Sequence, residues 1–177
     1  ATMLCIQLLF YVRDNLASRL DVGSVSVLTN GWMIFQVPET LIGTAIGVAM
    51  LPSLAELFSR GQSVAFKETV ERAVRVLLAL TLPVAALAAV ALRPLIALAF
   101  KFDAAGTDLL LWVSRAYLVG LAGQCLMEVA GRSFYARQNA LIPLLGGVVN
   151  LAIFVGTAFL LYIPLGAPGI ALADAVA

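Results

Sequence analysis

The chain reads as long apolar runs separated by short polar connections. Residues 1–12, "ATMLCIQLLFYV", form the first run, and "RDNLASRLDVGS" follows as a polar connection. The second run covers 25–51, longer than a ~30 Å hydrocarbon core requires at ~1.5 Å per residue. Pro38 near its middle removes a backbone donor and predicts a kink. After Pro52, Leu54, Leu57 and Phe58 share one helix face, and Gly61 is a natural stop. Lys67, Glu68, Glu71, Arg72 and Arg75 recur at helical spacing, which predicts an amphipathic approach to the next span. That span, 76–99, is predicted to break at Pro83 and at Arg93-Pro94. "KFDAAGTD" offers Thr107 and Asp108 as N-caps. Further spans are predicted at 109–130 and 141–163, and after the turn "PLGAPG" another begins at 167–177.

The pattern predicts an all-α, polytopic transmembrane helix bundle of about six spans within a single domain, 1–177. The first and last runs are shorter than the ~20 residues a span needs. The expectation is therefore an internal piece of a longer protein. The opening run also lacks the basic flank and cleavage site of a signal peptide.

Composition agrees. Of the residues, 62% are hydrophobic and 12% charged, against about 45–50% and about 25% in soluble domains. Mean hydropathy is +1.02. A net charge of +1 excludes a strong nucleic-acid field. The chain has no histidine, which removes the commonest general base and zinc ligand. Cys5 and Cys125 lie in apolar runs and read as small buried hydrophobes. The sequence has no Gly-rich phosphate loop, metal-ligand cluster or G-x-S-x-G. The reading is a non-enzyme without cofactor, metal or nucleic-acid partner.

Alternating spans put Arg60, Lys67, Arg72, Arg75, Arg132 and Arg137 on one side. Arg13, Arg19, Arg93 and Lys101 fall on the other, so the first side is expected to be cytoplasmic. The polar patch "GRSFYARQNALIP", 131–143, is then an inner-face turn. Tyr135 and Phe134 suit headgroup depth, and Arg132 and Arg137 suit anionic headgroups or a phosphate-bearing substrate. An ordinary positive-inside anchor explains the same residues.

Inside the membrane, Gln36, Thr40, Gly43 and Gly47 fall on one helical stripe. Gly43 and Gly47 form G-x-x-x-G, a helix-packing motif. Glu39 either lines a hydrated cavity or is neutralised by a structural partner, because a lipid-facing carboxylate is costly. Arg115 either snorkels to the outer interface or faces the same cavity. Gln124, Glu128 and Asn150 each need one hydrogen bond to a neighbouring helix. Pro38 and Pro83 are hinge candidates, since broken helices serve transporters.

Three stretches carry a family resemblance: "LASRLDVGSVSVL", "VPETLIGTAIGVAMLPSLAE" and "FYARQN" followed by Pro143. In order and separation they resemble the MurJ/MviN family of lipid II flippases, within the multidrug/oligosaccharidyl-lipid/polysaccharide exporter superfamily. The resemblance implies an inner-membrane transporter of two lobes, of which this stretch is most of the second. It implies alternating access and a role in peptidoglycan and cell-wall biogenesis, hence cell shape. The implied partners are an undecaprenyl-pyrophosphate-linked glycan, membrane lipids and the first lobe. Met33 stands where the family often has a cavity arginine, and Asn139 replaces its usual aspartate. The competing readings are an exporter of another polyprenyl-linked polysaccharide or of a small cation, and a non-transporting membrane scaffold. A membrane-embedded transferase or hydrolase is the remaining alternative.

Overall fold

A computed structural model describes residues 2–20, 23–99 and 104–177, with the side chains of 2–6, 97, 99 and 104 outside the description. The described residues are helical and contain no strand. In chain order they form α1 (Thr2–Ala17), α2 (Ser24–Glu39), a π turn (Thr40–Thr44), α3 (Ala45–Ser59), α4 (Ser63–Ala99), α5 (Ala104–Val119), α6 (Leu121–Ala136), α7 (Leu141–Leu165) and α8 (Ala167–Val176). Three helical stretches are long and apolar enough to cross a membrane: Ser24–Ser59, Ser63–Ile96 and Leu141–Leu165. The α5–α6 pair, bent by 44°, meets the same test when its two helices are taken together. In a bilayer the backbone must bond within itself, so long helices are the expected solution.

The second run is one helical path with an insertion. Pro38 donates no backbone hydrogen bond, and two residues later, at Thr40, a turn begins in which the Ala45 N–H reaches back to the Thr40 carbonyl. That i→i+5 bond is a π turn, which adds a residue to the turn and rotates everything after it.

Several expectations need correction. The first helix runs on to Ala17, so Arg13 is not in a polar connection. Arg13, Leu16 and Ala17 are buried together at i, i+3 and i+4, while Asp14 and Asn15 face outward. The third span is not broken: α4 continues through both Pro83 and Pro94 and absorbs the amphipathic stretch as its first turns. Lipid leaves a broken backbone nothing to bond with, so the helix carries the proline instead. Thr107 and Asp108 do not cap α5, which begins at Ala104. Asp108 instead pairs with Arg93 at 3.6 Å, an exposed contact between α4 and α5. The fourth span bends at Gly120, where a Cβ would meet the Ala175 Cα at 2.7 Å. The Cys5 side chain and residues 100–103, Lys101 among them, lie outside the description.

The core is built around α2 and α5. Trp32 stacks edge-on against Phe10 and Tyr117 at 5.7 and 5.6 Å and tilts over Phe35 at 5.3 Å. Buried Leu28, Val113, Leu121 and Leu110 fill in beside it. α3 lies on α6, α4 runs along α5 and α6, and α8 lies against α5 and α7. Large apolar side chains such as Leu82, Leu87, Val90, Leu160 and Ile163 point outward. On a soluble protein these would be a liability; on a span they are the lipid face.

Candidate functional site

Two polar regions interrupt the apolar helices. The first is centred on the π turn. Gln36 and Thr40 are exposed and Glu39 is half-buried. The Thr40 hydroxyl donates to Glu39 Oε2 at 3.3 Å, and the Thr44 hydroxyl donates to Glu39 Oε1 at 3.5 Å. Positions five apart sit well around an α-helix from one another. The extra residue of the π turn brings Thr44 back over Glu39. The carboxylate therefore has two hydroxyl donors from its own helix, and Glu128 of α6 lies within electrostatic reach.

The same insertion splits the stripe expected from the sequence. Gln36 and Thr40 face outward, while Gly43 and Gly47 are buried against α6. A Cβ on Gly43 would meet Cys125 Sγ at 2.9 Å and Cys125 Cα at 3.2 Å. One on Gly47 would meet Arg132 Cγ at 3.2 Å and Glu128 Cγ at 3.5 Å. Close approach of two backbones requires small residues there. Cys125 is a free, fully buried thiol in that contact.

The second region is the end where α6 meets α7. Arg132 donates from Nε and Nη2 to Glu128 Oε1 at 2.9 and 2.6 Å. These side chains line a cleft of about 500 Å³ with Gln124, Tyr135, Pro143 and Asn150. Tyr135 is 44% exposed at its rim. Arg137 lies over the Phe66 ring at 4.5 Å, a cation–π contact that joins the α6–α7 turn to the start of α4. The two turns assigned to one side from the charge count are thus in contact. The patch continues α6 as far as Ala136, and Gln138 then takes a left-handed φ of 57°. Asn139 Oδ1 then accepts from the Leu141 and Ile142 N–H groups at 3.1 and 3.4 Å. Asparagine caps a helix as well as aspartate does, so that replacement keeps the turn.

Arg115 is not brought to Glu39. Its Nε donates to the Ala89 carbonyl of α4 at 3.2 Å, and its guanidinium lies 5.7 Å from the Trp112 ring. Pro38 precedes the π turn, and Pro83 sits inside the continuous α4. Met33 is 58% exposed on the same outward side of α2 as Gln36.

A protein-family model described as "Lipid II flippase MurJ" matches residues 1–177. The chain belongs to this family. A probable lipid II flippase MurJ of Rhizobium meliloti (strain 1021) is 30% identical over 174 residues, covering 97% of this chain and 32% of the relative. The lipid II flippase MurJ of Burkholderia cenocepacia is 31% identical over 140 residues, covering 77% and 27%. The chain spans about a third of the length of the curated relatives it matches. A solved structure titled "Lipid II flippase MurJ, inward closed conformation" superposes with a TM-score of 0.88 over 99% of this chain and 38% of that one. At 21% identity that likeness establishes the fold. The all-α transmembrane bundle and the family resemblance are thereby borne out. Members are inner-membrane proteins, and three helical stretches of this chain are long and apolar enough to cross such a membrane.

The sequence reading missed one cluster. Arg13, Tyr117 and Asp174, from α1, α5 and α8, lie within electrostatic reach of one another. The sequence pattern puts Arg13 in a polar connection and leaves Asp174 inside an apolar run. The available signal was a lone acid in a run otherwise free of charge from Leu141.

Proposed function

We propose that this chain is the second-lobe portion of a lipid II flippase, and that it moves the lipid-linked peptidoglycan precursor across the inner membrane by alternating access. The family match over all 177 residues carries the reading. No bond is made or broken, so no catalytic residue is required. In this reading Gln36, Glu39 and Thr40 form a polar edge on an otherwise apolar helix and line the substrate passage. Helices broken by π turns and prolines are frequent where transporters bind and bend. Arg132, Tyr135 and Arg137 sit at the cytoplasmic end, where headgroups and the pyrophosphate enter. Arg115 supports α4 instead.

One observation favours a second reading. Met33 is exposed where the family often carries an arginine. An apolar residue there supplies no charge for a pyrophosphate, which leaves room for another polyprenyl-linked glycan. Complementation decides: the full reading frame containing this chain, expressed in a bacterium depleted of its flippase, is expected to restore growth and rod or coccal shape. Well-inserted protein that fails to do so defeats the flippase assignment.

A further inference from the structure

We propose that Arg13 and Asp174 form an ion pair inside the bundle that fastens α8 to α1, with the Tyr117 hydroxyl as its third member. Arg13 is only 4% exposed, and its Nη1 has no hydrogen-bond partner among the described residues. Its Nε does donate to Asp14 Oδ1 at 3.2 Å, and its guanidinium lies 4.5 Å over the Phe10 ring. Asp14 is 49% exposed, however, so water screens that contact. It leaves the inner half of the guanidinium uncompensated.

Two further closed-off atoms lie within its electrostatic reach. Asp174 Oδ2 is closed off from solvent without a partner, and so is the Tyr117 hydroxyl of a side chain only 1% exposed. Arg13 interacts electrostatically with both, and they interact with each other. Three polar groups from α1, α5 and α8 are thus closed off within electrostatic reach of one another, the Arg13–Asp174 gap being longer than the 3.2 Å Arg13–Asp14 contact.

An isolated charge of either sign within a membrane bundle is strongly unfavourable, and removing one partner of a buried pair strands the other. Arg13 and Asp174 each remove that penalty for the other. Asp14 does not, because it remains at the surface. The pair lies beside Gly120, where α5 bends and the backbone of α8 approaches within van der Waals contact. It therefore adds to the packing of α8, where the buried side chains apart from Ile170 are small: Ala167, Gly169, Ala171 and Ala173.

The test is a set of variants in the full reading frame: R13Q, D14N, D174N and R13Q/D174N. Thermal stability of the detergent-extracted protein and the amount inserted in membranes are both read. R13Q and D174N are each expected to lower the unfolding midpoint by roughly 5 °C or more, or to reduce the inserted protein severalfold. The double variant, which strands no charge, is expected to recover more than half of that loss. D14N is expected to behave as the parent. If the singles do not fold, the inserted amount of the double still decides. A double no better than the worse single, or a D14N loss equal to that of D174N, overturns the proposal.

Discussion

Gly43 offers a test with a built-in control. Alanine there places a Cβ 2.9 Å from Cys125 Sγ and 3.2 Å from Cys125 Cα, both inside normal contact distance. The sulfur can move a little, but the α6 backbone moves only with the whole helix. Overpacking of this kind costs about 1–3 kcal/mol. Against it stands the helix preference of alanine over glycine, about 0.5–1 kcal/mol. Gly156 supplies the same preference without the contact, since nothing lies within 4 Å of its Cβ position. The difference between G43A and G156A therefore isolates the overpacking term. At roughly 2–4 °C per kcal/mol for a chain of this size, G43A is expected to melt roughly 2–12 °C below G156A in detergent. Adding C125A removes the nearer atom, and is expected to narrow the gap without closing it because the 3.2 Å backbone contact stays. Equal midpoints for G43A and G156A would refute the packing of the π turn against α6.

R132A strands Glu128 in a half-buried cleft and is expected to cost about 1–3 kcal/mol in thermal unfolding, with E128Q/R132A recovering part of it. N139A removes the side chain that caps α7 and is expected to cost about 1 kcal/mol, whereas N139D stays within a few tenths; melting midpoints of the two separate them. P83A gives α4 an N–H able to reach the Ala79 carbonyl, and is expected to raise the midpoint while lowering complementation of a flippase-depleted strain. Unchanged complementation would remove Pro83 from the hinges.

The apolar runs made the fold legible. A span is a statement about length and polarity, and both are plain in the chain, so 25–51 and 141–163 fall inside observed helices. What stayed hidden depends on contacts between helices. The π turn begins two residues after Pro38 and lets Thr44 reach Glu39; a fixed helical period cannot show it, and so the Gln36 to Gly47 stripe reads as one line. The continuity of α4 depends on its apolar surroundings rather than on Pro83 itself. Arg13 looked like a loop charge because its neighbours Asp14 and Asn15 are polar; only its burial on α1, beside a distant acid on α8, shows otherwise. Arg115 could be read from sequence as charged and near a span end, but its partner, a backbone carbonyl of α4, leaves no mark in the sequence.

Lipid II translocation in proteoliposomes most directly tests whether this chain serves a flippase. The product of the full reading frame is reconstituted with fluorescent lipid II, and a membrane-impermeant quencher reports the label reaching the outer leaflet. The expected result is transfer well above protein-free vesicles, slowed when Gln36→Cys carries a bulky thiol reagent. Folded protein that leaves the label distributed as in empty vesicles would contradict it.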